Sequence, residues 1–265
     1  MNIPIFQVDA FTAEPFKGNP AGVCLLKAPA EASWMQNVAA EMNLAETAFP
    51  LAEGDGFRLR WFTPAVEVKL CGHATLAAAH ILWDLGILKP KEEARFHTLS
   101  GLLTARREGA EIELNFPSRP VTPKPPDWAE ALIGALGVKP SFIGLSAEDV
   151  LVELADEATV RSLRPDFAAI KTLPARGVIV TSRSSDARFD FVSRFFVPAV
   201  GIDEDPVTGS SHCVLTPYWS QKLGKASMTA YQASARGGIL RVRLDGSRVR
   251  IAGHAVTVIK GEFTA

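Results

Sequence analysis

Apolar and polar residues alternate in short runs along much of the chain, and this period of two predicts half-buried β-strands. The clearest strand-like runs occur in both halves of the chain. They lie at residues 3–11 and 45–50 in the first half, and at residues 175–182 and 187–196 in the second. We therefore expect several strands in each half.

Two segments of helical length interrupt the strand pattern. Ala74–Leu85 is apolar on nearly all sides, with no charged residue before Asp84, and such a helix must be buried all round. A similar segment occupies the matching place in the second half, and both end in Leu-Gly. Gly86 and Gly224 are therefore expected at left-handed helix C-caps. A further helix is expected at Ser33–Met42.

One nine-residue sequence occurs twice with small changes. RWFTPAVEV begins at Arg60 and RFFVPAVGI begins at Arg194, an offset of 134 in a chain of 265 residues. Each copy leads into a glycine-containing loop, a buried helix and then two strands. The expected hairpin turns between these strands are Glu108-Gly109 and Asp245-Gly246. The shared order predicts two halves of similar topology.

A proline-rich segment separates the halves. Residues 121–128 show no periodicity and, together with Pro120, contain four prolines, which indicates a linker. We therefore predict an α+β chain with one domain at residues 1–120 and another at residues 121–265. The pattern leaves open whether the last strand, near residues 254–263, stays in the second half or crosses back to the first.

Composition narrows the class of function. The chain has 28 basic and 29 acidic residues and a net charge of −1, so it has no electrostatic reason to bind nucleic acid or an anionic membrane. Its three cysteines form no CxxC pair, which argues against a disulfide framework or a zinc ribbon. No signal peptide or membrane span is recognised. We expect a cytoplasmic protein that acts on a small molecule.

A duplicated half suggests a shared ligand site. Two similar domains joined by a short linker tend to enclose a cleft, and ligand sites favour such interfaces. In each half the repeated sequence leads to a helix start, whose free N–H groups and partial positive charge attract anions. The expected ligand is therefore a small molecule that carries a carboxylate.

Four motifs follow one another across essentially the whole chain: VDAFTAEPFKGNPAGVC, NLAETAFP, FTPAVEVKLCGHATLAAAH and DEDPVTGSSH. In order and spacing they resemble the PhzF-type isomerases, relatives of diaminopimelate epimerase and proline racemase. The resemblance implies a diaminopimelate epimerase-like fold of two pseudo-symmetric domains, each a sheet rolled around one central helix. It also implies cofactor-independent proton-transfer chemistry, usually in a homodimer.

Glu46 is the candidate general acid and base. By itself it could be a capping or solvated glutamate, but the strand-like residues after it would carry it inward. The resemblance implies the catalytic acid/base at this position. It implies that His73 lines the pocket and polarises the substrate, where the alternative is a helix-start histidine bonded to a loop. Asn19, which belongs to the GNPAG turn, and Gly72, which precedes His73, are implied to lie at the substrate.

Asp205, Pro206, Thr208, Gly209 and Ser210 belong to the matching loop of the second half. On composition alone this loop is an ordinary turn and helix N-cap. The family motif implies that Asp205 takes part in proton or hydroxyl handling, and that Gly209 and Ser210 hold an anion. Both interpretations can hold together, because a cap and an anion site use the same N–H groups.

Cys71 raises an alternative mechanism. Thiol racemases of the superfamily use two cysteines, one before each helix. The offset of 134 places Asp205 opposite Cys71, so a two-thiol mechanism lacks one thiol. His80 lies seven residues after His73, but no third ligand follows at a suitable spacing, so no metal site is predicted.

The sequence therefore predicts a cofactor-independent isomerase that moves a proton on a small, carboxylate-bearing substrate through Glu46. The best-known reaction of the resembled family isomerises a dihydro-hydroxyanthranilate during phenazine synthesis. Two alternatives stay open: an amino-acid epimerase or racemase on the same scaffold, and a non-catalytic protein that binds a metabolite or a partner.

Overall fold

A computed structural model describes residues 2–264 and shows a mixed α+β architecture. The strands, in chain order, are β1 (Ile3–Ala10), β2 (Asn19–Cys24), β3 (Glu46–Glu53), β4 (Gly56–Phe62), β5 (Glu67–Val68), β6 (Ala94–Thr98), β7 (Gly101–Glu108), β8 (Glu111–Pro117), β9 (Phe142–Leu145), β10 (Asp149–Glu153), β11 (Gly177–Arg183), β12 (Phe191–Val197), β13 (Ile202–Glu204), β14 (Ser227–Gln232), β15 (Gly238–Asp245), β16 (Arg248–Gly253) and β17 (Ala255–Phe263). The helices are α1 (Ala32–Met42), α2 (Gly72–Asp84), α3 (Ala129–Leu136), α4 (Glu157–Ser162), α5 (Phe167–Lys171) and α6 (Gly209–Leu223). Within this part of the chain, no helix combines the length and apolar character needed to cross a membrane.

The chain divides into two compact units. One holds the chain up to Phe116 and again from Ile251 onward, and the other spans Pro117–Arg250. The last strand, β17, belongs to the first unit, where it pairs antiparallel with β1. The predicted domain boundary between residues 120 and 121 stays a prediction.

In the first unit the strands pair in the order β17-β1-β2-β3-β4-β6-β7-β8, with the short β5 beside the end of β4. The β2–β3 and β4–β6 pairs are parallel and the others are antiparallel. Helix α2 packs against β1, β2, β3 and β17. Ten of its 13 residues are buried, as expected for a segment that is apolar on nearly all sides.

The second unit repeats this succession of pairings. The β9–β10 pair is antiparallel, β10–β11 parallel, β11–β12 antiparallel, β12–β14 parallel and β14–β15 antiparallel, with the short β13 beside β12. These orientations match β1–β2, β2–β3, β3–β4, β4–β6 and β6–β7, with β5 beside β4. The buried helix is α6, whose Trp219 stacks on Phe191 and donates a hydrogen bond to Thr181. The predicted fold of two pseudo-symmetric halves with one central helix each is confirmed.

The helices end where the glycines predicted, whereas the hairpins turn one residue later. Gly86 and Gly224, with φ of +68° and +66°, take the left-handed conformation that follows α2 and α6. In the hairpins, Gly109 and Gly246 occupy the first turn position, after the last residue of the strand. Glycine suits this turn position because φ there is +65° at Gly109 and +59° at Gly246, a conformation that glycine adopts without a Cβ clash.

The repeated sequence builds the same ion pair in each unit. Arg60 Nε and Nη2 donate to the two carboxylate oxygens of Glu67 at 2.7 and 2.8 Å. Arg194 makes the same two bonds to Glu204, both at 2.8 Å. In each unit the arginine lies on a long strand and the glutamate on the short strand beside it, so the pair fixes the loop that leads to the central helix.

The second copy carries three more residues in this loop. Seven positions separate the paired arginine and glutamate in the first unit, and ten separate them in the second. A 3-10 turn at Pro198–Val200 lies within the longer loop. The offset of 134 therefore holds only up to this loop, and the helix starts Gly72 and Gly209 are offset by 137.

Candidate active site

Glu46 and His73 meet at the start of α2 in the first unit. Glu46 is the first residue of β3, His73 is the second residue of α2, and α2 packs on β3. The distance from His73 Nε2 to Glu46 Oε2 is 3.2 Å. The imidazole has 5% of its surface exposed, whereas the carboxylate keeps 20% exposed. The first unit thus pairs a buried imidazole with a carboxylate that a ligand can reach.

The surroundings of Nδ1 determine where the His73 proton lies. The side-chain nitrogen of Asn19 lies 3.1 Å from Nδ1, and Cys71 Sγ lies 3.6 Å from it. Because the Asn19 amide donates to Nδ1, the neutral ring carries its proton on Nε2. Among residues 2–264 no acceptor lies in line with this N–H, since the Glu46 oxygen is close but off the hydrogen-bond direction. The Nε2–H group is a buried donor that a bound molecule could use.

Glu46 and Cys71 govern the charge of His73. Burial disfavours the imidazolium of His73, but its neighbours Cys71 and Glu46 favour it, and the pKa of His73 is raised above its usual value. Burial, reinforced by the Glu46 charge, raises the pKa of Cys71 to about 11. The thiol is therefore uncharged at neutral pH, and Glu46 is the neighbour that stabilises the imidazolium there.

The first turn of α2 leaves N–H groups for a ligand. Cys71 is the N-cap residue, and no side chain caps the helix. The Thr75 hydroxyl donates to the Cys71 carbonyl oxygen at 2.5 Å, which does not satisfy any helix N–H. Gly72, the first helical residue, has no side chain to shield these groups. The helix start can therefore hold an anion or a carbonyl oxygen.

Within the part of the chain that the structure describes, Glu46, Cys71 and His73 form a group that could hold a metal ion. One ligand atom from each lies within 4.8 Å of the other two, and carboxylate, thiolate and imidazole all bind zinc. Two features oppose binding. The pKa of the Cys71 thiol is about 11, and the ring turns different nitrogens toward the thiol and the carboxylate. The donor set fits a metal poorly, and His80 lies outside it.

Dialysis against EDTA is therefore expected to leave the activity unchanged. Metal analysis of the purified protein should find zinc only in substoichiometric amounts, because binding would have to deprotonate a buried thiol and displace Asn19 from Nδ1. Inductively coupled plasma mass spectrometry of wild type and Cys71→Ser checks this. Stoichiometric zinc that disappears in Cys71→Ser, together with EDTA inactivation reversed by zinc, would contradict the expectation.

In the second unit Asp205 lies in a loop held by one buried glutamine. Gln232 Nε2 donates to the Asp205 carbonyl oxygen at 2.7 Å, and its side-chain oxygen accepts from the Thr208 N–H at 2.9 Å. The Thr208 hydroxyl donates to the Asp205 carboxylate in a short contact. Internal bonds therefore set the geometry of the loop that enters α6.

Gly209 and Ser210 are the first two residues of α6. Thr208 is the N-cap residue but gives no side-chain cap, because its hydroxyl donates to Asp205. The first turn therefore keeps free N–H groups and a partial positive charge. Ser210 Oγ accepts a hydrogen bond from Arg176 Nη2 at 3.2 Å. Sequence reasoning missed Arg176, whose only signal is its position directly before a strand.

The structure corrects the pairing of Cys71 with Asp205. Because the offset is 137 beyond the longer loop, the N-cap residue Cys71 corresponds to the N-cap residue Thr208. The carbonyl oxygens of both accept a bond from a side chain four residues later, Thr75 and His212 respectively. The wrong counterpart arose because the extra residues of the loop cannot be read from the repeated sequence. A second thiol is missing in either alignment.

Glu46 has no acidic counterpart in the second unit. The strand registers of β3–β4 and β11–β12 align Glu46 with Gly177, and the helix starts align His73 with Ser210. A Cβ on Gly177 would come within 2.6 Å of the Phe195 ring and of Val197, so a side chain there would require these neighbours to shift. At these equivalent positions the second unit carries no acid–base pair.

The predicted site residues fall into two groups. Asn19, Glu46, Gly72 and His73 come together in the first unit; Asp205, Gly209 and Ser210 lie in the second. The roles given to them from the sequence stay predictions.

Two curated relatives match the chain over almost its full length. A protein named an uncharacterized isomerase of Halalkalibacterium halodurans is 51% identical over 264 residues, with 99% of both chains covered. Another uncharacterized isomerase, of Pseudomonas aeruginosa, is 52% identical over 263 residues, again with 99% of both covered. Residues 8–261 match the PhzC-PhzF family, described as phenazine biosynthesis-like protein.

Solved structures agree with this match. The crystal structure of a phenazine biosynthesis protein of the PhzF family from Enterococcus faecalis superposes with a TM-score of 0.93 at 42% identity, covering 100% of both chains. A hydroxyproline epimerase of Agrobacterium vitis with bound trans-4-hydroxy-L-proline superposes with a TM-score of 0.64 at 11% identity, covering 98% of this chain and 92% of that one. The second likeness shows a shared fold.

Proposed function

The chain belongs to the PhzC-PhzF family of phenazine biosynthesis-like proteins and is an isomerase, and we propose that it moves a proton within a small, carboxylate-bearing substrate. In this proposal Glu46 takes the proton from one carbon and returns it to another. His73 donates from Nε2 to the substrate and stabilises the negative charge that develops when the proton leaves.

The asymmetry of the two units is the observation that carries this proposal. The first unit pairs a carboxylate with an imidazole at 3.2 Å, whereas the equivalent positions of the second unit are Gly177 and Ser210. Moving a proton between two carbons on one face of a substrate needs a single base. Inverting a stereocentre needs two bases. Neither Gly177 nor Ser210 can be the second, and the carboxylate of Asp205, the remaining candidate, is already held by a hydrogen bond from the Thr208 hydroxyl.

The thiol alternative is weaker for a related reason. A two-thiol racemase needs a cysteine at both helix N-caps, and the N-caps here are Cys71 and Thr208. Burial raises the pKa of Cys71 to about 11, so little thiolate forms near neutral pH. We therefore favour Glu46 over Cys71 as the proton carrier.

A carboxylate on the substrate is proposed because an uncapped helix start can bind an anion. The first turns of α2 and α6 lack side-chain caps, so each presents N–H groups to an anion. For Asp205, Gly209 and Ser210 the proposal keeps the roles that the family motif implies, proton handling for Asp205 and anion binding for the other two. The substrate is a small unsaturated acid, because a double bond next to the carboxylate makes the migrating proton acidic.

A screen for hydrogen exchange in heavy water tests the proposed function. The purified protein is incubated in D₂O with a panel of cyclic and acyclic unsaturated carboxylic acids, and deuterium uptake is followed by NMR. We expect at least one acid to take up deuterium and to form a product with a shifted double bond. Exchange accompanied by inversion of configuration at one carbon, with the double bond in its original place, would instead indicate an epimerase. No uptake by any acid of the panel would contradict the proposed substrate class.

A further inference from the structure

Arg176 contacts a residue of the proposed anion site in the second unit, and nothing in the sequence assigns it a role. We propose that Arg176 is a positioning residue that makes the Ser210 hydroxyl a fixed hydrogen-bond donor to an anion at the start of α6. The inference rests on the proposed function only in taking that anion to be the carboxylate of the substrate.

A buried carboxylate anchors Arg176. Arg176 Nε and Nη2 donate to the two carboxylate oxygens of Asp149 at 2.9 and 2.6 Å, and Asp149 is 1% exposed. The Arg176 N–H donates to the Glu148 carbonyl oxygen at 2.8 Å, and the guanidinium lies 5.6 Å from the centre of the Phe195 ring. A bidentate pair with a packed face leaves the guanidinium little freedom to turn.

The direction of the hydrogen bond to Ser210 follows from the chemistry of the two groups. A guanidinium carries donors and no acceptor, so in the 3.2 Å contact Nη2 donates and Ser210 Oγ accepts. The single hydroxyl proton of Ser210 must then point away from Arg176. A serine without this neighbour could turn the same proton toward any nearby acceptor.

At the start of α6, the Ser210 hydroxyl lies where it can donate a hydrogen bond to a bound anion. Ser210 is the second residue of the helix, where N–H groups of the first turn are not capped by a side chain. An anion bound there would accept from these N–H groups and from the Ser210 hydroxyl together.

The charge of Arg176 is expected to contribute less to anion binding than its hydrogen bond to Ser210 does. Asp149, Glu148 and Asp205 are the carboxylates whose charges act on the guanidinium, and the first of them is fully buried against it. Since these charges offset that of the guanidinium, a bound anion gains little from it directly. Arg176 should therefore act through Ser210, and removing both residues should cost little more than removing one.

A double-mutant cycle tests this dependence. Cyclohex-1-ene-1-carboxylate is titrated into ¹⁵N-labelled wild type, Ser210→Ala, Arg176→Gln and the double variant, and the amide signals of residues 209 and 210 report the dissociation constant. We expect each single change to weaken binding by about tenfold, the size of a hydrogen bond to a charged group. In the Ser210→Ala background, Arg176→Gln should cost distinctly less than in wild type.

Controls separate positioning from general stability. Arg119→Gln removes a neighbouring ion pair to Glu148 that does not touch Ser210, and it should bind the probe as wild type does. If Arg176→Gln does not fold, Arg176→Lys takes its place, because one ammonium can pair with Asp149 but cannot also present the fork that reaches Ser210.

Two results would overturn the inference: additive losses in the cycle, or no saturable shift at the two amides of the wild type. Binding of the probe requires no proton transfer, so the cycle does not depend on the role of Glu46. If Glu46→Gln kept the wild-type exchange rate, the proposed function would fail while the coupling between Arg176 and Ser210 still stood.

Discussion

Replacing Glu46 with glutamine is expected to lower the rate of isomerisation by at least about 10²-fold, and by as much as about 10⁴-fold, without unfolding the protein. Glutamine keeps the size of the side chain and can still lie beside His73 Nε2, which is 3.2 Å from the carboxylate. It cannot accept a proton at neutral pH. The measurement is kcat/KM for the acid identified by the exchange screen.

Two matched variants make the result specific. Glu53→Gln makes the same change at the exposed far end of β3 and should leave the rate unchanged. Cys71→Ser should cost far less than Glu46→Gln, because the mechanism asks no thiolate to form and the pKa of this thiol is about 11. An inactive Cys71→Ser beside a nearly normal Glu46→Gln would reverse the assignment and favour a thiol mechanism.

Replacing Arg194 with glutamine is expected to lower the free energy of unfolding by about 3–5 kcal/mol, the usual cost of breaking a buried ion pair. Arg194 is 7% exposed and bonds both oxygens of Glu204. It also donates to the carbonyl oxygens of Val160 and Leu163 at 3.3 and 2.8 Å. Glutamine would leave a shielded carboxylate and two carbonyl groups without donors. Urea denaturation followed by circular dichroism measures the loss.

The first unit supplies the control for this prediction. Arg60 makes the same two bonds to Glu67, but the two side chains are 27% and 25% exposed. Water can solvate the remaining carboxylate there, so Arg60→Gln should cost only about 1 kcal/mol. Equal losses for the two variants would show that burial does not set the strength of the pair.

The repeat and the central helices could be predicted because they depend on local patterns. A helix that is apolar on nearly all sides, such as α2, is stable only where other parts of the protein bury it on every side. Gly86 and Gly224 marked the helix ends because the left-handed conformation suits glycine. The hairpin turns were displaced by one residue, since an acidic residue before glycine can close the strand instead of opening the turn.

The ion pairs and the true alignment of the helix starts could not be predicted from the repeat. Glu67 and Glu204 lie at different sequence separations from the arginines that they bind, so no fixed offset aligns them. The same three-residue difference paired Cys71 with the wrong partner. Arg176 escaped notice because its contact with Ser210 spans 34 positions and no sequence pattern links them. Long-range polar contacts of this kind leave no periodic signal.

The incorporation of solvent deuterium by wild type and by Glu46→Gln, measured side by side, tests the central claim most directly. The substrate from the screen is incubated in D₂O with equal amounts of each protein, and label at the reacting carbons is followed by NMR. We expect the wild type to incorporate deuterium, and Glu46→Gln to do so at least about 10²-fold more slowly, with an unchanged circular dichroism spectrum. Exchange by Glu46→Gln at the wild-type rate would contradict the assignment of Glu46 as the proton carrier.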